Sequence, residues 1–99
     1  MRPIYRRYGK EMNKAEQKYA QQLELMKRAG EIMDYRYERI KLKLADNTFY
    51  TPDFFVIYKD RFEFHEVKGF WEDDARVKYK VAQEQFPFFD FKTIQRLRK

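Results

Sequence analysis

The chain has no cysteine, a single histidine at position 65, and no apolar run long enough to span a bilayer. Without cysteine there is no disulfide framework and no thiolate metal site, so zinc-finger and zinc-ribbon readings fall away. There is also no Gly-rich phosphate loop, no Ser/His/Asp set and no internal repeat. The lack of a signal peptide and of a long apolar span predicts a soluble, cytoplasmic protein with no membrane partner.

Aromatic surface and positive charge are abundant. Ten Phe, eight Tyr and one Trp supply large buried areas per residue, which compensates for a length near the lower end of what folds as one domain without disulfides. The 22 Lys and Arg against 16 Asp and Glu leave a net charge of +6 and a pI near 9.5. Such a balance favours a polyanionic partner, nucleic acid before an anionic membrane, although a merely soluble basic domain shows the same composition.

The stretch from Thr51 to Gly69 organises the rest. Asp53 to Tyr58 is a near-continuous apolar run and Phe62 to Val67 alternates, so the pair reads as a hairpin with Lys59-Asp60 at its tip. Folded there, Tyr58 faces Arg61, Val56 faces Glu63, and Asp53 comes opposite Glu66. Two carboxylates then meet on one sheet face with Cβ atoms about 5 Å apart, which is unfavourable unless something neutralises them. A divalent cation would do so, because Mg²⁺ is typically held by one or two carboxylates with water and substrate oxygens completing an octahedron. Period-two alternation puts Lys68 on the same face as Glu66. Carboxylate-x-Lys also occurs at Glu16-Gln17-Lys18 and Asp90-Phe91-Lys92; only the middle copy has Pro-Asp in register on the preceding strand. A three-residue turn would instead place Asp53 opposite Val67, leaving a solvated pair of surface charges as the alternative.

Around this hairpin the remaining elements fall into order. Met1 to Glu11 interleaves Arg2, Arg6, Arg7 and Lys10 with Tyr5 and Tyr8 and lacks periodicity, so residues 1–12 read as a basic arm suited to phosphates and bases. Asn13-Lys-Ala-Glu16 resembles a capping box, and Ala15, Tyr19, Ala20, Leu23 and Met26 recur at helical spacing until Ala29-Gly30. Glu16 lies in that helix's first turn, where it either caps the helix or reaches towards the sheet. Ile32 to Leu44 reads as a strand whose phase changes near Glu38-Arg39, which implies a bend. A second strand starts at Phe49 and is interrupted by Pro52 just before Asp53. After Gly69, Asp73 or Asp74 starts a helix to about Gln85, with Val77, Val81 and Ala82 facing inward and Arg76, Lys78 and Lys80 making much of the remainder basic. Phe88 to Ile94 reads as a further strand, and 96–99 as a basic tail. Alternation turns His65 away from Glu66 and Lys68, which excludes it as the general base.

The order helix, three-stranded meander, helix, strand, with Pro-Asp at 52–53 and Glu-x-Lys at 66–68, resembles the PD-(D/E)XK nuclease superfamily. Asn13-Lys-Ala-Glu-Gln-Lys-Tyr-Ala, Thr51-Pro-Asp-Phe and Glu66-Val-Lys-Gly-Phe, followed by a helix and Phe-Pro, look like a family of small phage-encoded endonucleases. The resemblance implies a mixed α/β (α+β) fold in the order α-β-β-β-α-β, a restriction-endonuclease-like core whose mixed sheet is flanked by helices, over residues 13–95. It implies a Mg²⁺- or Mn²⁺-dependent DNA endonuclease in which Asp53, Glu66 and the backbone carbonyl of Val67 hold the metal. Lys68 then assists the attacking water, and Glu16 joins the site rather than only capping its helix. Arg6, Arg7, Lys10, Arg76, Lys78 and Lys80 would contact DNA, branched or duplex, and family habit adds a homodimer able to make two cuts in a Holliday junction. The rival expectations are an inactive DNA-binding module with a nuclease-like fold, a small interaction protein, and an RNA substrate.

Overall fold

The computed structural model describes residues 12–68 and 73–95. The arm over 1–11 with Arg6, Arg7 and Lys10, the exit over 69–72 and the tail over 96–99 lie outside the described residues. Met12, assigned to the arm by its sequence, is buried in the core.

Helix α1 spans Lys14–Arg28 and starts at the expected capping box: the Glu16 amide donates to Asn13 Oδ1 at 2.8 Å and the Asn13 amide donates to Glu16 Oε1 at 3.0 Å. Two of the four orphan donors at the helix start are thereby satisfied. Its apolar stripe buries Tyr19 and Leu23 and packs Ala15, Ala20 and Met26 against the same cluster. The helix closes at Ala29, and Gly30 follows at φ +83°, the left-handed conformation open to glycine at least cost.

The meander expected after α1 divides into five strands: β1 (Asp34–Tyr37), β2 (Leu42–Ala45), β3 (Thr48–Tyr50), β4 (Phe54–Ile57) and β5 (Phe62–Lys68). The bend near Glu38-Arg39 is a full break, with Glu38 at φ +46° and its amide donating to the Asp53 carbonyl at 2.8 Å. Its cause is the phase change in the sequence. Tyr35 and Tyr37 pack on the α1 side of the sheet, whereas Leu42 and Leu44 belong to the cluster on the other side. One continuous strand could not serve both. The break at Pro52 likewise separates β3 from β4.

Helix α2 covers Asp73–Gln85, with Asp73 and Asp74 in its first turn, and β6 covers Asp90–Gln95. The main sheet has the order β1-β4-β5-β6, with β6 parallel to β5 and the other pairs antiparallel; β2 and β3 form their own hairpin. The result is a mixed α/β domain. On one face α1 packs over Tyr37, Phe54, Val56 and Val67. On the other, α2 and the β2–β3 hairpin cover Phe64 with Leu42, Leu44, Tyr50, Tyr79 and Ala82. Complete burial of Phe54 and Leu23 contributes about 1.5–3 kcal/mol each.

The inward face of α2 differs from the sequence expectation at Val77, which is exposed. Two helical stripes were available, and the one that carries Tyr79 and Ala82 wins because the Tyr79 ring fills the space between Tyr50 and Phe91. No helix among the described residues is long and apolar enough to cross a membrane.

Candidate active site

The β4–β5 hairpin fixes the geometry. Its pairs run from Ile57 opposite Phe62 to Phe54 opposite His65, and the Tyr58 amide donates to the Arg61 carbonyl at 2.9 Å across the Lys59-Asp60 turn. The even-length register expected from the sequence is therefore the one adopted. One step further along β4, the Asp53 amide donates to Glu66 Oε1 at 3.3 Å and the Val67 amide donates to Asp53 Oδ2 at 2.9 Å. Both carboxylates are buried, at 5% and 4% exposure. Lys68 Nζ lies 3.3 Å from Glu66 Oε2. Because a strand residue directs its N–H and C=O to the same neighbour, the Val67 carbonyl faces the Asp53 side as well.

Burial first, and then the Glu66 charge, push the Asp53 carboxyl up to about 8; the Val67 amide and Lys68 pull in the opposite direction without cancelling the effect. At neutral pH Asp53 thus holds a proton that it would lose in water. Desolvation with a like-charge partner is a common signature of functional carboxylates.

The pair opens into a cleft of about 510 Å³ lined by Glu38, Tyr50, Asp53, Glu66, Lys68 and Lys78, among others. Tyr50 donates its hydroxyl to Glu66 Oε1. Asp74, in the first turn of α2, also reaches this cleft. Tyr50, Glu38 and Asp74 were missed in the sequence. For Glu38 and Asp74 the signals were present, in the bend and in the acidic first turn of α2. Tyr50 carried only its place before Thr51-Pro52.

The other candidates separate. Glu16 caps α1 and is buried: Oε1 accepts from both the Asn13 amide and the Tyr37 hydroxyl, at 3.0 and 2.9 Å, and the residue stands behind the cleft lining rather than in it. Its charge nevertheless adds to the upward shift of Asp53. Lys78 lines the cleft, whereas Arg76 and Lys80 are exposed on α2 outside it. His65 lies on the α1 face. Its Nε2 is 2.8 Å from Glu63 Oε1, an acceptor only, so Nε2–H donates there and Nδ1 accepts from the Tyr19 hydroxyl at 2.7 Å. Burial holds its pKa below the usual histidine value, so the imidazole is a neutral bridge in the core.

No protein-family profile and no solved structure matches this chain. Among curated proteins it is similar to Endonuclease I of Escherichia phage T7, at 33% identity over 92 residues. The match covers 90% of this chain and 56% of the phage protein, so the chain spans a little over half the length of the relative it matches.

Proposed function

We propose that the chain is a metal-dependent endodeoxyribonuclease of the PD-(D/E)XK type, acting on branched DNA. The observation that carries this reading is the convergence of Asp53, Glu66 and Lys68 on one face of a registered hairpin, at the mouth of a cleft. Similarity to a phage endonuclease over 90% of the chain supports it independently.

The residues fit a hard divalent cation. The donors are oxygens only, and the proton that burial and the Glu66 charge keep on Asp53 marks a position where positive charge is wanted. Among the described residues no three His, Cys, Asp or Glu side chains form a metal-holding group, so Asp53 and Glu66 would act with the Val67 carbonyl. This suits Mg²⁺ or Mn²⁺, which draw remaining ligands from water and phosphate. When bound, the cation lowers the pKa of a water and neutralises charge on the scissile phosphate.

The protein's own groups supply the rest. Asp53 would give up its proton and, with Glu66, hold the cation. Lys68 holds its ammonium where negative charge develops on the phosphate. Lys78, on the cleft wall, draws the DNA backbone in by charge alone and reads no base. Cutting both strands of a four-way junction requires two sites, which a twofold dimer provides. In a phage setting the protein would act in the host cytoplasm.

The test is cleavage of labelled four-way-junction, duplex and single-stranded DNA with Mg²⁺, Mn²⁺ or EDTA. Metal-dependent cutting with preference for the junction is expected. Binding without cutting under any metal would overturn the catalytic reading and leave an inactive DNA-binding module.

A further inference from the structure

We propose that Tyr50 is a positioning residue that makes Glu66 a one-oxygen ligand and so sets which divalent cation the site accepts. The inference rests on the metal-holding role of Glu66 given above and adds what selects the ion.

Tyr50 ends β3, on the hairpin that stands apart from the four-stranded sheet. Its ring is buried against Tyr79 of α2, with centroids 6.1 Å apart at 74°. The Tyr79 hydroxyl in turn accepts from Thr93 Oγ1 of β6 at 3.1 Å. The Tyr50 ring is therefore held by a helix and a strand that belong to neither the metal-side hairpin nor its turn.

From that fixed ring the hydroxyl donates to Glu66 Oε1, and the Asp53 amide donates to the same oxygen at 3.3 Å. A carboxylate oxygen has two lone-pair directions. Both on Oε1 are occupied, whereas Oε2 has Lys68 Nζ at 3.3 Å against its two lone pairs, and Glu66 lines the cleft. A cation approaching Glu66 thus meets one oxygen. Ca²⁺ takes six to eight ligands at longer distances and readily uses both oxygens of a carboxylate, whereas Mg²⁺ needs an octahedron that one oxygen per carboxylate serves well. Occupying Oε1 closes the two-oxygen mode and favours the smaller ion. The β2–β3 hairpin delivers this control from outside the sheet that carries the carboxylates.

The experiment is calorimetric titration of the full chain with Mg²⁺ alone and with Ca²⁺ alone, without DNA, for the unsubstituted protein, Tyr50→Phe, Tyr79→Phe and Glu66→Gln. Tyr50→Phe keeps the ring and its contact with Tyr79 while freeing one of the two directions on Oε1. It should tighten Ca²⁺ relative to Mg²⁺ by about tenfold, the lower end of what partners of metal ligands contribute. Tyr79→Phe should leave the ratio unchanged. A ratio within about twofold of the unsubstituted protein in Tyr50→Phe, with binding lost in Glu66→Gln, overturns the inference alone. No binding by the unsubstituted protein, or full binding by Glu66→Gln, overturns the metal site itself and the inference with it. Infrared spectra of the Ca²⁺-loaded unsubstituted protein test the same point without a substitution. The carboxylate stretches should show one-oxygen coordination, and a two-oxygen signature contradicts the proposal.

Discussion

At the residue scale, Asp53 accounts for more of the site's behaviour than any other group. Its carboxyl titrates near 8 in the folded chain against 3.8 in the open chain. Between those values the folded state binds the extra proton, so this group makes stability fall as pH rises from about 4 to about 8. Asp53→Asn removes the penalty. The variant should match the unsubstituted protein near pH 4 and be the more stable of the two at pH 8 without metal, read from urea unfolding at both values. Equal stability at pH 8 would mean that the carboxylates are not in conflict. His65 works in the opposite direction. Its depressed pKa favours the neutral ring, so its contribution is intact above the ordinary histidine value and fades as pH falls below it. Both residues were legible in the sequence by alternation alone, Asp53 on the carboxylate face and His65 on the other. Glu16 was legible as a cap from Asn13-Lys-Ala-Glu16, whereas its hydrogen bond from the Tyr37 hydroxyl depends on a strand the sequence does not bring to it.

At the element scale, the even-length turn decides everything downstream. Lys59-Asp60 sets the register, and the register sets which face Glu66 occupies. Inserting one glycine between Lys59 and Asp60 should shift the pairing so that Asp53 meets Val67. Cleavage should then fall by at least about 10³-fold, because the two proposed metal ligands no longer share a face. Cleavage within tenfold of the unsubstituted protein would show that the facing pair is not the catalytic unit. The hairpin was readable because Asp53–Tyr58 and Phe62–Val67 differ so clearly in pattern. The role of β2 and β3 was not. Leu42, Leu44 and Tyr50 look like one more edge of the meander, and only their tertiary placement over Phe64 and Tyr79 sends the Tyr50 hydroxyl to Glu66. The Val77 side of α2 was misjudged for a related reason. The sequence turns Val77, Val81 and Ala82 inward; Ala82 is buried and Val81 packs against the core, but Tyr79 goes inward in place of Val77, and the rings that choose it, Tyr50 and Phe91, lie on distant strands.

At the scale of the whole molecule, two faces of one sheet divide the labour. The α1 face is a core bound together by Tyr19, His65 and Glu63, and the α2 face carries the carboxylates, the lysines and the cleft. On the proposed function, the net charge of +6 would serve the second face by raising the local concentration of DNA before any chemistry occurs. Binding and cutting should therefore separate on substitution. The most direct measurement is to compare Glu66→Gln with the unsubstituted protein on a labelled four-way junction, following single-turnover cleavage in Mg²⁺ and equilibrium binding with EDTA. The account predicts that cleavage falls by about 10³-fold or more while the dissociation constant stays within about threefold. Equal cleavage rates for the two proteins, or a junction that neither cuts, would contradict it.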